Sequence, residues 1–152
     1  MKNAFWALGL VVLSAGCGGR GGDGLPRVAA WGRLTAAGQP LPGTEILLAP
    51  EDNTSGPGAL GFAGEDGVFK LADARGDRRG VVPGEYRVGL HRVLTKDGAP
   101  LREAPKPHEM AGMVEALPFR LSNPAQSSLK LVIPPSGGEV NLDIPAEMLT
   151  GK

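Results

Sequence analysis

Three residues with soft donor atoms stand close together in the second half of the chain. His108, Met110 and Met113 lie in a stretch from Val93 to Ala116 that contains three prolines and no clear hydrophobic period. Imidazole and thioether groups suit copper(I), so a periplasmic copper site made by these three side chains is one hypothesis. A simpler interpretation, which we favour, is that the two methionines pack the stretch onto the domain and His108 is exposed.

The same stretch, residues 93–116, is where we expect any binding surface. Loops longer than about 12–15 residues are uncommon in compact domains and often carry function, and function gathers on loops held by a rigid scaffold. Neither His91 nor His108 belongs to a closely spaced His and Glu motif of the kind that binds catalytic zinc. We find no catalytic constellation, predict no cofactor, and expect a protein that is not an enzyme.

The only cysteine, Cys17, follows a segment that could direct a covalent modification. Met1-Lys2-Asn3 is a short basic start, Ala4 to Leu13 is an apolar run of ten residues, and small residues lead into Cys17. The run is too short for a membrane-spanning helix of ~20 residues but fits a signal-peptide core of ~7–15 residues. The alternative is a first core strand or helix that happens to hold a cysteine. Because all these features agree, we favour the signal peptide.

The sequence Leu13-Ser14-Ala15-Gly16-Cys17 resembles the lipobox of bacterial lipoproteins, which is Leu, two small residues, Gly or Ala, and then Cys. The resemblance implies that residues 1–16 are a signal peptide and that Cys17 is acylated and anchors the protein. Stable anchoring needs more than one acyl chain. Gly18 stands where lipoproteins retained at the inner membrane commonly have Asp. We therefore expect a bacterial cell-envelope location, with the outer membrane favoured over the inner membrane.

Residues 17–26 join this anchor to the remainder of the chain and are rich in glycine. Such a composition behaves as a flexible tether. The chain has 16 Lys and Arg against 16 Asp and Glu, and this balance gives no reason to expect nucleic acid as a partner. The expected partner is the membrane, through Cys17, and the identity of any protein or other envelope partner stays open.

Residues 27–146 consist of short alternating segments separated by Gly and Pro turns, and residues 147–152 form a tail. The predicted strands are 28–35, 44–49, 60–63, 68–72, 85–92, 127–133 and 139–144, with weak alternation at Leu117, Phe119 and Leu121. Many short strands at this spacing predict an all-β, antiparallel sandwich. The predicted core is Leu34, Ile46, Leu48, Phe62, Phe69, Leu71, Tyr86, Val88, Leu90, Leu129, Leu131, Val140 and Leu142.

Five motifs, taken in order, resemble the carboxypeptidase regulatory-like domain. They are Gly32-Arg33-Leu34, the turn at 38–43, the apolar strand at 46–50, Glu65-Asp66-Gly67-Val68-Phe69, and the Pro-Gly-Glu-Tyr-Arg-Val sequence at 83–88. The segments 127–133 and 139–142 resemble the closing strands of small bacterial lipoproteins built on that domain. The resemblance covers about residues 28–144. It implies a seven-stranded, transthyretin-like Greek-key sandwich without catalytic activity.

The leading expectation is therefore a non-catalytic, lipid-anchored envelope protein with an interaction or structural domain. Copper binding through His108, Met110 and Met113 is one alternative. Carbohydrate binding is another, since β-sandwiches often bind sugars. The scarcity of exposed-looking aromatic residues argues against it, Trp31 excepted.

Overall fold

The computed structural model describes residues 23–76, 79–106, 109 and 111–150. Its strands are β1 (Ala30–Ala36), β2 (Gln39–Pro40), β3 (Thr44–Pro50), β4 (Ala59–Ala63), β5 (Val68–Asp73), β6 (Gly84–His91), β7 (Val93–Leu94), β8 (Val114–Glu115), β9 (Lys130–Ile133), β10 (Gly138–Glu139) and β11 (Leu142–Ile144). Two single helical turns, α1 (Phe119–Ser122) and α2 (Ala146–Leu149), accompany them. The expected all-β class is confirmed. The predicted signal peptide, residues 1–16, and Cys17 lie outside the described residues.

Hydrogen bonds join nine of the described strands into one curled sheet. The main path runs β10-β1-β5-β4-β3-β6-β9, and β2 and β11 also pair with β1. The pairs are antiparallel, except that β1 runs parallel to β10 and β11. β7 and β8 form a separate two-stranded ribbon. One hydrophobic cluster takes residues from strands at both halves of the path, so the sheet curls around a single core.

Alternation along the strands places nearly all the predicted core residues inside. Every predicted core residue is buried except Phe62, for which the prediction is wrong. In β4 the small residues Ala59 and Ala63 face inward, and Phe62 therefore points to the opposite face. A side chain at Gly61 would already touch Leu71 at 3.0 Å. Side chains of neighbouring strands, such as Leu71, fill the space between β4 and the core. The inward positions of β4 therefore accommodate alanine but leave no room for a phenyl ring.

The predicted alternation at Leu117, Phe119 and Leu121 does not form a strand, and that prediction is wrong. Residues Phe119–Ser122 form the helical turn α1, which follows Pro118. Leu117 and Leu121 are buried while Phe119 is 71% exposed. A helical turn brings residues four apart onto one face, so it buries the two leucines as well as a strand would.

The predicted strand at 139–144 is interrupted, and β10 and β11 pair with β1 on either side of the break. At the break, the side-chain oxygen of Asn141 accepts a hydrogen bond from Arg33 N at 2.7 Å, so a side chain replaces a backbone acceptor. A Cβ atom at Gly32 would lie 2.0 Å from the Val140 carbonyl oxygen. The close approach of the two backbones therefore requires glycine in the middle of β1.

The strand register defines two ends of the sheet. β6 runs from Gly84 to His91, and β3 runs beside it in the opposite direction, with Pro50 next to Tyr86 and Glu45 next to His91. The end of β5 at Asp73 lies on the Tyr86 side, where the described chain begins at Asp23. We call this side the entry end, and the side with Glu45 and His91 the groove end. Tyr86 and His91 are roughly 17 Å apart at the usual rise per residue of a strand.

Charged groups at the entry end are buried and paired. Arg27 donates two hydrogen bonds to Asp73 Oδ2, at 3.0 and 2.8 Å, and one to each carboxylate oxygen of Asp23, at 2.7 and 2.8 Å. The side chains of Arg27 and Asp73 are 3% and 0% exposed. The hydrogen bonds from Arg27 hold the pKa of Asp23 well below its ordinary value. The buried Tyr86 hydroxyl donates to Val82 O at 2.6 Å. Each of these polar groups therefore has a hydrogen-bond partner within the domain, as buried polar groups usually do.

Candidate functional site

The groove end carries a cavity of about 430 Å³ on the face of the sheet that is turned away from the core. Its floor is formed by Glu45 and Leu47 from β3, Phe62 from β4 and His91 from β6. These side chains lie outward because their strand neighbours, such as Ile46, face the core. The floor is therefore built on three paired strands, which hold its side chains rigidly.

The wall of the cavity comes from described residues of the long segment 93–116 that lie over the outer face of the sheet. Val93, Pro105, Met113 and Glu115 line this side. Gly43 lets the segment approach closely, because its φ is +68° and a Cβ there would lie 2.7 Å from the Leu101 carbonyl oxygen. The segment is thus a structural part of the cavity, which we call the groove.

Glu115 is fixed by the turn that leads into the groove. Its Oε1 accepts hydrogen bonds from Arg92 N at 2.9 Å and Leu117 N at 3.1 Å, and its Oε2 lies 3.2 Å from Nδ1 of His91. An ionised carboxylate only accepts hydrogen bonds, so this contact requires a proton on Nδ1 of His91. The Glu115 carboxylate therefore positions the imidazole ring.

Glu45 differs from Glu115 in having no such support. It pairs with Phe62 in β4 and with His91 in β6, so the three side chains form a row across the floor. Directly opposite side chains in an antiparallel pair have Cβ atoms about 4.5–5.5 Å apart. The Glu45 carboxylate makes no hydrogen bond or ion pair with any residue that the structure describes. Glu45 is half-buried and lines the cavity, and a carboxylate without a partner keeps its full capacity to accept hydrogen bonds.

The predicted site residues divide into those the structure places and those it does not. Met113 lines the groove, whereas His108, Met110 and Cys17 lie outside the described residues. Within the described part of the chain, no group of three or more His, Cys, Asp or Glu side chains could hold a metal ion. Trp31 is 45% exposed and stands on β1, away from the groove. Of the three residues in the copper hypothesis, the structure therefore describes only Met113.

The floor of the groove was missed by sequence reasoning. Glu45 and His91 fall within predicted strands without being predicted as site residues, and Phe62 is predicted in the core. Their grouping depends on the pairing of β3 with both β4 and β6, which no single segment reveals. A usable signal was present, however, because Phe62 is out of phase with Ala59 and Ala63 and so belongs on the face opposite to theirs.

A second charged cluster lies near the entry end on the same outer face. Glu51 accepts hydrogen bonds from Lys130 Nζ and Arg87 Nε, both at 2.9 Å, and these bonds lower the pKa of the Glu51 carboxyl. The Arg87 and Lys130 side chains are 49% and 60% exposed. Since the Glu51 carboxylate already accepts hydrogen bonds from two cationic side chains, this cluster is not a vacant site.

No protein-family model, curated protein or solved structure matches this chain. Among the residues that the structure describes, no helix has the length and apolar character needed to cross a membrane.

Proposed function

We propose that this chain is a non-catalytic lipoprotein of the bacterial cell envelope, anchored through Cys17, whose β domain works by binding at the groove. The observation that carries the anchoring proposal is the Leu13-Ser14-Ala15-Gly16-Cys17 sequence after a basic start and a ten-residue apolar run. The cysteine would be the new amino terminus after removal of residues 1–16. Its acyl chains would supply the two-signal anchoring that stable membrane attachment needs.

The fold proposed in finer detail is a transthyretin-like, seven-stranded Greek-key sandwich of the carboxypeptidase regulatory-like type. Three of the motifs support it. Gly32 and Gly43 allow backbone segments to approach closely, and the buried Tyr86 hydroxyl donates a hydrogen bond to Val82 O. A buried tyrosine that donates to a carbonyl a few residues upstream is also typical of Greek-key sandwiches. An experimental structure that placed the strands in one open layer, with no second layer across the core, would contradict this proposal.

The placement of the groove supports a binding role directed away from the membrane. The described chain begins at the entry end, beside Arg27 and Asp73, and the groove lies at the other end of the strands. A tether that leads from Cys17 to Asp23 would therefore hold the entry end towards the lipid. The groove would then face the periplasm or the exterior, where a partner could reach it.

Anchoring is tested by expressing the full chain in a bacterial host and labelling it with an alkyne fatty acid. We expect labelled protein in the membrane fraction, and Cys17→Ala should give an unlabelled, unprocessed precursor. Gly16→Ala is the matched control and should still be processed, because the lipobox pattern accepts Gly or Ala there. A wild-type protein that stays soluble, or is cleaved at another bond, would refute the proposal.

The choice of membrane can be tested with a single substitution. We expect the wild type in the outer-membrane fraction of a density gradient. Gly18→Asp should move the protein towards the inner membrane, because Asp after the lipidated cysteine commonly marks inner-membrane lipoproteins. Gly18→Asn, which has nearly the same shape without the charge, serves as the control for the carboxylate.

Copper(I) binding is the second candidate, and the position of Met113 in the groove favours it. A thioether there could join His108 and Met110, which are ligands of the type that copper(I) prefers. Competition titration with a copper(I) chelator tests the idea. Met113→Leu should weaken binding, while Met148→Leu, outside the groove, should not. Carbohydrate binding has less support, because Phe62 is the only aromatic carbocycle among the described lining residues; a glycan array tests it.

A further inference from the structure

The side chains that line the groove restrict the chemistry of its ligand, if the groove has the binding role proposed above. The floor combines a phenyl ring, a carboxylate and an imidazole in one row: Phe62, Glu45 and His91. Leu47 and Met113 add apolar surface beside this row. A mainly apolar cavity with a few placed polar groups is the usual form of a small-molecule site.

Two carboxylates line the groove, and they have different roles. The two oxygen atoms of Glu115 are occupied by two backbone amides and by His91. Glu45 has no partner among the described residues, although it is half-buried between the side chains of neighbouring strands. Glu115 is therefore a positioning group, and Glu45 is the charge that an occupant would meet.

A half-buried carboxylate beside a phenyl ring selects among possible occupants. A neutral apolar molecule would remove water from Glu45 and give it no hydrogen bond, which is costly. An anion would face both Glu45 and Glu115 at short range, which is unfavourable. A cationic group instead gains a charge-assisted hydrogen bond to the carboxylate and attraction to the face of the Phe62 ring.

We propose that the groove binds a small organic amine, with its ammonium group at Glu45 and its apolar body against Phe62, Leu47 and Met113. The cavity volume of about 430 Å³ fits one small molecule, since ligand pockets are typically about 300–1,000 Å³. The carboxylate on β3 supplies the charge, the ring on β4 supplies aromatic surface, and Pro105 and Met113 line the side.

Ligand-observed NMR on the full-length lipoprotein in phosphatidylcholine vesicles tests the proposal. Three probes share one ring and differ in charge: benzylamine, benzyl alcohol and benzoate. We expect benzylamine to bind, benzyl alcohol to bind at least about 10-fold more weakly, and benzoate not to bind. Benzyl alcohol can still donate a hydrogen bond to Glu45, so the expected ratio comes from its missing positive charge, which removes the attraction to the carboxylate and to the Phe62 ring.

Glu45→Gln keeps the shape of the side chain and removes its charge, so it should weaken benzylamine binding by about 10-fold or more. Glu51→Gln is the matched control, since it removes a carboxylate on the same outer face near the other end of the strands, and it should leave the affinity unchanged. The vesicle background is the same for both variants. Circular dichroism and thermal melting of each variant show that the fold is intact.

Several outcomes would overturn the proposal. These are benzyl alcohol binding as tightly as benzylamine, Glu45→Gln binding as well as the wild type, or no binding of any probe. Glu45-dependent binding of a lysine-rich peptide without binding of benzylamine would also overturn it, because the occupant would then be a polypeptide. If Cys17 proves not to be acylated, the same titration runs on the soluble full chain. Failure of the anchor and failure of the amine site are therefore distinguishable.

Discussion

The entry end and the groove end of the sheet treat their charged side chains in opposite ways. At the entry end, the side chains of Arg27 and Asp73 are almost fully buried and form an ion pair, and Arg27 also donates a hydrogen bond to Asp23. At the groove end, Glu45 is half-buried and has no partner among the described residues. A buried charge without a partner would destabilise the fold strongly, so the first arrangement serves stability. The second is tolerated only because water, or a ligand, can reach it.

The aromatic residues follow the same division. Tyr86 is 1% exposed, and its hydroxyl is bonded to a backbone carbonyl within the core. Phe62 lies on the other face of the sheet and forms part of the groove floor. The comparison teaches that side chains at the entry end are committed to the fold. Those at the groove end are only half-buried, and we expect them to contribute less to its stability.

The largest expected effect comes from truncating these two rings. Tyr86→Ala should lower the free energy of unfolding by about 3–5 kcal/mol, as large aromatic truncations in cores do. Phe62→Ala should cost clearly less, because its ring is only half-buried. Urea denaturation of both variants measures the difference. Equal losses would mean that the groove floor is a second part of the core.

Tyr86 and Phe62 also show which features of the fold can be predicted from the sequence. Period-2 alternation identified the strands that contain Tyr86 and Leu131 and the face of each that is buried. It failed for Phe62, because size and hydrophobicity suggested burial while the neighbouring alanines occupied the inward positions. It also failed for the turn α1, because a helical turn buries Leu117 and Leu121 just as a strand would.

The candidate site was predictable in outline only. The sequence predicts binding at the long aperiodic segment 93–116, and four described residues of that segment, Val93, Pro105, Met113 and Glu115, line one wall of the groove. The floor was not predicted, because Glu45 and His91 are 46 positions apart in the sequence and meet through the pairing of β3 with β6. Strand pairing over such separations is decided by the whole fold, so one sequence does not reveal which outward residues become neighbours.

A smaller effect is expected from the charged pair at the entry end. Asp73→Asn keeps the side-chain shape and an acceptor for Arg75 N, which bonds Asp73 Oδ1 at 2.8 Å. Among the described residues, the buried guanidinium of Arg27 then keeps one carboxylate partner, Asp23, so the melting temperature should fall. Glu51→Gln, whose partners are exposed, is the control and should change it less. If the two variants melt alike, the entry-end pair does not stabilise the fold as the comparison requires.

At alkaline pH, the stability of the fold should depend on the ionisation of the Tyr86 hydroxyl. Burial first, and then the negative charge of Asp73, raise the pKa of Tyr86 above its ordinary value. A raised pKa in the folded state contributes stability that is fully present below about pH 10, the unfolded value. It is lost as pH rises through the folded-state pKa.

Tyr86→Phe tests this pH dependence directly. At neutral pH the variant should be less stable by about 1 kcal/mol, because Val82 O loses its donor. Above pH 10 the difference from the wild type should shrink or reverse, since the phenyl ring has no proton to lose. Denaturation at a series of pH values gives the difference, in which the other titrating groups cancel. A constant difference would show that the hydroxyl does not titrate on unfolding.

Removal of the groove wall should have little effect on stability. We expect that deleting residues 101–114 and joining the ends with a short Gly-Ser linker leaves a cooperatively folded domain, because no described residue of that stretch is buried. Shortening a loop changes its closure entropy only slightly. The same deletion should abolish recovery of any partner from membranes. If the shortened chain unfolds, the segment belongs to the core; if it keeps its partners, the binding surface lies elsewhere, with Trp31 the next candidate.

The smallest expected effect on stability belongs to the residue with the largest expected effect on binding. Glu45→Gln should change the free energy of unfolding by about 0.5 kcal/mol or less, as substitutions without a lost partner usually do. We expect this change to be a gain, since the carboxylate has no partner among the described residues and its negative charge lies in one groove with Glu115. Thermal melting at low and high salt measures it. A large loss of stability would mean that Glu45 supports the fold, and the contrast between the two ends of the sheet would then disappear.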